Sequence, residues 1–309
     1  MHILISGASG FIGTILVNNL SNNHNITVLG RKLNKLEQSF SRSINKLTFE
    51  DLPNHNAAHY DLIINLSGAN IGAKRWTQST KKELIESRTA TNQKIIDWLI
   101  KQGATPRFFC ASAIGIYGAQ DISTESFDEY SVLPLTTEDF LQNICFAWEE
   151  SLQKAIDASI SVTKLRFGVV LKKGSGMLQK LELPFRLGLG SVLGSGQQML
   201  SWIDYEDLVR AVNFLIEHPN ITGPVNITSP APVIQKEFAQ EFSNVLGRHL
   251  FFKTPAWLIK LLFGEMGEYL LLKGQKVLPT RLTELGFQFS YSRIMQSLFK
   301  EYSAHNNIE

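Results

Sequence analysis

His2-Ile3-Leu4-Ile5-Ser6-Gly7-Ala8-Ser9-Gly10-Phe11-Ile12-Gly13 is the stretch from which the rest of the chain can be read. A short apolar run ends at Ser6-Gly7, glycines recur at Gly7, Gly10 and Gly13, and an apolar pattern of helical period starts at once. This is a strand, a tight turn and a helix. Gly7 permits the turn, Gly10 lets a pyrophosphate approach the backbone, and Gly13 lets the helix pack closely on the strand. The helix start turns free N–H groups and the positive end of its dipole toward phosphate, with Ser9, Phe11 and Ile12 beside them. The spacing Gly-x-x-Gly-x-x-Gly is not the usual Gly-x-Gly-x-x-Gly, so a plain tight turn is the alternative. Its place at the head of an alternating strand–helix pattern favours the nucleotide.

Outward from this turn, a helix from Phe11 to about Leu20 leads to a strand, Ile26-Thr27-Val28-Leu29, that ends in Gly30-Arg31-Lys32. A carboxylate at this position usually accepts bonds from the adenosine ribose hydroxyls. Here two cations stand instead: Arg31 can grip a 2′-phosphate with two N–H groups and Lys32 adds a point charge, which predicts NADP in preference to NAD. A solvated surface pair is the alternative. Leu47-Thr48-Phe49 is a weak third strand, and Asp61 to Leu66 is a fourth, apolar enough to be covered on both faces. It runs into Leu66, Ser67 and Gly68, where small residues leave room for a dinucleotide.

A helix from Gln78 to Lys101 carries the stripe Leu84, Arg88, Asn92, Ile95, Leu99, which sets Arg88 and Asn92 on the packing face. A buried arginine needs an anionic partner, either a structural carboxylate or a ligand. The strand Arg107 to Ser112 delivers Ser112 and Tyr117 to its carboxyl end, the usual place for chemistry in an open α/β sheet. A polar, acidic loop spans Gln120 to Asp139, followed by a helix at 138–158 and a strand at 161–168. Glycine-rich loops follow Gly174, then a helix to about His218, a strand near 223–229, and a helical part in which Thr254-Pro255 is a cap and first-turn pair. The expected fold is α/β, a Rossmann-like doubly wound parallel sheet with a smaller, mainly helical C-terminal substrate lobe. The divisions are 1–170, with sheet and helix returning near 200–229, and 171–309.

The totals fit. The chain has 309 residues, 44% hydrophobic and 19% charged, with a net charge of +2 that implies no nucleic acid and no membrane surface as partner. Two cysteines, Cys110 and Cys145, suit a reducing cytoplasm better than a disulfide framework. Trp257 to Leu272 is interrupted by Lys260, Glu265 and Glu268 and reads as amphipathic, not as a membrane span. No metal site is expected.

With these residues on the page, the chain resembles the extended and atypical short-chain dehydrogenase/reductase superfamily, in an epimerase-like subgroup of unknown substrate. The carriers are Ser6 to Gly13, Asn65 to Gly68, Lys74-Arg75-Trp76-Thr77, Ser87-Arg88, Ala111 to Gly118, Cys145 to Glu149, Pro184 to Gly190 and Trp202-Ile203, with 273–279 resembling the family's C-terminal module. The resemblance implies a Ser/Thr and a Tyr-x-x-x-Lys pair: tyrosine as acid/base, lysine lowering its pKa, serine orienting the substrate oxygen. Glu149 matches the glutamate that follows the lysine, which puts Cys145 at the lysine position and Leu141 at the tyrosine position. Arg88 falls where the family has a helix asparagine. Ser112 stands at the serine position, with Ala113 as the alternative register.

The ordinary mechanism is therefore closed to this chain, since a leucine transfers no proton. A rebuilt NADP(H) site would use Ser112, Tyr117, Arg88 and Cys145, with Tyr117 as the remaining phenol and Cys145 as a thiolate if Arg88 lowers its pKa. Against this, Tyr117 reads equally as a packing residue and Cys145 as an inert buried one. Arg166 is counted with Arg88 on the cofactor side. Arg75, Trp76, Arg186, Gln197 with Gln198, and Trp202 are candidates for an anionic or sugar-like substrate, or for tethering the C-terminal lobe. The readings are an NADP(H)-binding oxidoreductase or isomerase, a non-catalytic NADPH sensor, and an interaction module. A homodimer is compatible with each.

Overall fold

A computed structural model describes residues 1–303 apart from 121, 123–124 and 134–137. The first strand, β1 (His2–Ser6), is buried from Ile3 onward and passes through Gly7 into helix α1 (Phe11–Leu20). Next come β2 (Asn25–Gly30), α2 (Leu33–Ser39), β3 (Asn45–Thr48) and β4 (Leu62–Asn65). Helix α3 (Gln78–Lys101) starts at Thr77, whose hydroxyl accepts from the N–H of Thr80, and leads to β5 (Arg107–Ala113). Helix α4 (Phe140–Glu150) and the strands Val162–Phe167 and Gly223–Ile227 complete the central layer. Among the described residues these seven strands pair in the order Gly223–Ile227, Val162–Phe167, β5, β4, β1, β2, β3, all parallel. The order reverses direction at β1 and β4, and ligands of such sheets bind at that switch point, outside the carboxyl ends of the strands.

Steric exclusion makes the switch point. Gly7 has φ +73°, and a Cβ there would lie 2.6 Å from the Leu66 carbonyl carbon. A Cβ on Gly13 would lie 2.4 Å from the Gly7 carbonyl oxygen, so helix, turn and β4 touch backbone to backbone. Leu66 N–H donates to the Ser6 carbonyl, and the hydroxyls of Ser6 and Ser67 meet at 2.5 Å.

The helix expected over 138–158 is two pieces: α4 ends at Glu150 and a short helix runs Gln153–Asp157. Ser151 donates back to the Trp148 carbonyl at 2.6 Å, a local bond that competes with helix propagation. Thr254 is not a cap. It lies in the strand Phe252–Thr254 with its hydroxyl 2.7 Å from that of Ser191, and the helix Ala256–Gly267 begins one residue later, behind Pro255. The expected loop from Gln120 to Asp139 lies partly outside the described residues. The rest is pinned to the C-terminal part: Gln120 bridges to Gly274, and Ser126–Phe127 runs parallel to Lys276–Val277.

Among the described residues the buried apolar side chains form three clusters. The largest joins the sheet to its helices. A second surrounds Trp202, Phe238, Phe242 and Leu298. The third joins α3, α4 and the C-terminal part through Trp76, Leu84, Phe140, Ile144, Cys145 and Val277.

Gly13→Ala should therefore lower stability by about 1–3 kcal/mol or more, because backbone rather than a movable side chain blocks the new methyl. Thermal unfolding checks this, with Gly72→Ala as a control, since a Cβ there meets nothing nearer than 3.5 Å.

Candidate functional site

At the carboxyl end of β4 and β5 lies a cavity of about 230 Å³. One wall is α3 and α4, which contribute Arg88, Leu141, Ile144, Cys145 and Trp148. Ala113 and Gly115 close the base, Phe167 to Val169 lie across from them, and Met199 to Ser201 and Tyr269 to Gln275 form the outer wall.

Arg88 is 8% exposed, as its place on the stripe of α3 requires. Its Nη1 donates to the Leu84 carbonyl at 2.7 Å and its Nη2 to the Ala69 carbonyl at 3.1 Å. Its guanidinium lies 4.8 Å over the Trp148 ring. No carboxylate of the described residues pairs with it, and burial pulls its pKa below the usual arginine range. It also lies against the segment that follows β4, since a Cβ on Gly68 would lie 3.2 Å from its Cζ.

The register of β5 settles the serine position. Side chains alternate across a strand, so Ser112 and Ala113 face opposite ways. Ala113 lines the cavity, whereas Ser112 is turned away and donates to Glu149 Oε1 at 2.8 Å. Nor is Tyr117 in the cavity. It is fully buried, stacks on Phe127, donates to Asn226 Oδ1 at 2.9 Å and accepts from Arg166 Nη1 at 2.9 Å. Burial pushes its pKa up to about 12, against the pull of Arg166. The reason is the 3-10 turn Ile114–Tyr117, which swings the phenol under the sheet end.

Arg166 is likewise no free cofactor ligand. Its Nε and Nη2 hold both oxygens of Glu149 at 2.8 and 3.0 Å, and Lys164 Nζ adds a third cation contact at 3.2 Å. Burial alone would raise the Glu149 pKa, but Arg166 and Lys164 hold it below the usual carboxylate range. Breaking such a buried pair from one side costs about 3–5 kcal/mol.

Cys145 does line the cavity, but as a thiol. Burial, with Glu149 adding to it, pushes its pKa up to about 12 in spite of Arg88. Asn92 is structural: its Oδ1 accepts from Asn65 Nδ2 at 2.6 Å and its Nδ2 donates to Ser151 Oγ at 2.8 Å.

The other substrate candidates lie elsewhere. Arg75 donates to the carbonyls of Leu261 and Leu262 and so tethers the helix Ala256–Gly267. Trp76 donates to the Ile71 carbonyl and packs on Phe140, behind the cavity wall. Arg186 pairs with Glu182 and lines a separate surface depression with Lys173 and Tyr302. Gln197 is on an exposed turn, and Gln198 bonds the carbonyls of Leu193 and Leu271. Trp202 is a core residue donating to the Ala231 carbonyl, although its neighbour Ser201 reaches the cavity.

At the switch point the glycine turn meets Leu66 and Ser67, with Gly68 one residue further on, Ser9 exposed, and Phe11 and Ile12 half-buried at the first turn of α1. That turn has no side-chain cap and no acidic residue, which leaves its N–H groups open to an anion. Arg31 and Lys32 are exposed beyond β2, and Arg31 borders an open groove with Phe49, Lys94 and Lys101. A Cβ at Gly30 would lie 2.9 Å from Leu36 Cδ2, the far end of a side chain, so Leu36 would have to shift to admit one.

Sequence reasoning missed Tyr269, Lys273 and Gln275. The signal was present: tyrosine and lysine stand four apart, and Lys273 Nζ lies 4.5 Å over the Tyr269 ring.

Residues 3–228 match the NAD dependent epimerase/dehydratase family, and residues 254–298 match DUF1731, a domain of unknown function. The chain belongs to the NAD dependent epimerase/dehydratase family. Within it, the chain is similar to the Arabidopsis thaliana epimerase family protein SDR39U1 homolog, chloroplastic, at 36% identity over 96% of this chain and 86% of that one. Bacillus subtilis epimerase family protein YfhF is 33% identical over 94% of this chain and 95% of its own length. The solved structure of human epimerase family protein SDR39U1 (isoform 2) with NADPH superposes with a TM-score of 0.86 at 31% identity, covering 98% of this chain and 99% of that one. The epimerase-like family and the Rossmann-like fold expected from the sequence are thus both found. Among the described residues no helix is long and apolar enough to cross a membrane.

Tyr117→Phe should destabilise by about 1–3 kcal/mol, since Asn226 and Arg166 each lose a buried partner, while leaving nucleotide affinity unchanged; thermal unfolding and ligand titration separate the two effects. Because burial keeps Cys145 protonated, iodoacetamide should label neither it nor Cys110, whose pKa burial also pushes to about 12, in the folded protein at pH 8. Labelling should become rapid in denaturant, as mass spectrometry would show.

Proposed function

We propose that this chain binds NADPH at the glycine turn and acts as an oxidoreductase or isomerase on a small molecule held in the adjoining cavity. The observation that carries the reading is the short link between the two: Leu66 and Ser67 abut the turn at Gly7, and the next residue, Gly68, abuts the guanidinium of Arg88, which lines the cavity. The cradle fits the cofactor, since Gly7 and Gly13 leave no room for a Cβ and the open N-terminus of α1 faces the same side. Gly7, Gly10, Gly13, Leu66, Ser67 and Gly68 would hold it, with Arg31 and Lys32 toward a 2′-phosphate. The NADPH in the human relative supports the choice. When bound, the cofactor would supply or accept a hydride.

The chain's own residues then divide the remaining work. Arg88 binds an anionic or polarised oxygen of the substrate, because its charge has no carboxylate partner of its own. Cys145 offers a neutral S–H as donor and no base. Tyr269 takes the acid–base role that Leu141 cannot fill. Its pKa is raised by burial and drawn back by Lys273, and its hydroxyl makes only a 3.3 Å bond to the Glu138 carbonyl. The apolar lining excludes water from the oxygen that Arg88 holds.

A second reading, a protein that holds NADPH without turnover, is favoured by Leu141 and Ala113, which present no acid, base or hydroxyl to the cavity.

NADPH should bind and stabilise the protein by about 2.7 kcal/mol at a hundredfold excess over Kd, measured by fluorescence titration and thermal shift. Arg31→Asp should narrow the preference for NADPH over NADH by about tenfold, the worth of one charge-assisted pair. Absence of any shift would leave the interaction-module reading. Binding with unchanged turnover in Tyr269→Phe would remove that residue from the mechanism.

A further inference from the structure

We infer that the cavity takes a small, mainly apolar molecule bearing one carboxylate, seated on Arg88, and not a sugar. The inference rests on the NADPH-binding reading and goes beyond it by assigning the substrate class.

Charge comes first. The chain has two arginines buried at this end of the sheet, and it treats them differently. Arg166 is matched by the bidentate Glu149. Arg88, also enclosed, has among the described residues only neutral acceptors, the carbonyls of Leu84 and Ala69 and, at 3.5 Å, Ser87 Oγ, and a guanidinium has five N–H groups to place. A buried cation without a counter-charge is costly, and an anionic ligand supplies that counter-charge. The cavity's other cation, Lys273, already has a carboxylate, since its Nζ is 3.5 Å from Glu268 Oε1, an oxygen it shares with the half-exposed Lys260 at 3.0 Å. Arg88 is thus the buried cation that has no carboxylate among the described residues, and it calls for one negative group.

The lining decides the body of the molecule. Ile71, Ile114, Leu141, Ile144, Met199 and Leu270 present hydrocarbon to the interior. The polar side chains among them are largely committed. Ser201 Oγ donates to the Gln275 carbonyl and accepts from the Val277 N–H, and Gln275 Nε2 donates to the Ile114 carbonyl. A hexose entering this space would give up water at each hydroxyl and recover few bonds, whereas an alkyl or aryl body loses nothing polar. The volume of about 230 Å³ also suits a compact acid.

The test titrates the full chain, loaded with NADPH, against hexanoate, hexanamide, gluconate and UDP-glucose by calorimetry. Hexanoate should bind at least about tenfold more tightly than hexanamide, which lacks the charge, and than gluconate, which keeps the charge but adds hydroxyls. Arg88→Met should lose hexanoate by about tenfold or more while Arg88→Lys, which restores a cation, recovers part of it. Tighter binding of UDP-glucose or gluconate, equal hexanoate affinity in Arg88→Met, or displacement of NADPH by hexanoate would overturn the inference. So would loss of NADPH affinity in Arg88→Met, since that assigns the guanidinium to the cofactor. NADPH titrated alone keeps the two readings apart: failure there with hexanoate still bound sinks the cofactor proposal, and NADPH bound without hexanoate sinks the substrate class.

Discussion

The carboxylate of Glu149 is the point on which this end of the molecule turns, although it does not line the cavity. It projects from α4 into a closed space and is held by Ser112 on β5 and by Lys164 and Arg166 on the neighbouring strand. Burying such a charge is tolerable only because every oxygen is satisfied, and the same requirement locks the helix to two strands in one register. Cys145 and Leu141 stand one and two turns before Glu149 on α4, and Trp148 directly precedes it. The buried ion pair therefore sets the depth and rotation of one wall of the cavity.

Two kinds of constraint meet where the cavity joins the nucleotide turn. The turn is defined by what will not fit: backbone at Gly7, Gly13 and Leu66 in mutual contact, with no space for side-chain atoms. The cavity is defined by what is not neutralised, namely the charge of Arg88. Residues 66–68 link the two, because Leu66 and Ser67 lie on the turn and the missing side chain of Gly68 lets the backbone after β4 lie against the guanidinium.

Legibility in the sequence followed the range of the interactions. The glycine turn, the strand–helix alternation and helix α3 are governed by neighbours a few residues apart, and the expected Gln78 to Lys101 is the observed helix. Burial of Arg88 followed from a periodic stripe. The face of Ser112 did not, because a shift of one residue in a strand exchanges the two sides, and no local signal distinguishes Ser112 from Ala113 as the inward residue. Tyr117 was misplaced because a 3-10 turn separates it from the strand. Arg75, Arg186 and Trp202 carry side chains that suit ligands, yet their partners are carbonyls and a carboxylate far along the chain or in a helix turn. The outer wall formed by Tyr269, Lys273 and Gln275 depends on contacts across more than a hundred residues, beyond any periodicity.

That outer wall has a consequence for how the protein is made. Gly274 bridges to Gln120, and Lys276–Val277 lies beside Ser126–Phe127, so a ribbon from late in the chain closes over a segment synthesised much earlier. Contacts of such sequence separation form slowly and only after both partners exist. The nucleotide turn, built from residues 7–13 and 66–68, can assemble while translation continues. A nascent chain thus acquires its glycine turn well before the outer wall of the cavity exists, and the cavity can recognise a molecule only once that ribbon is in place.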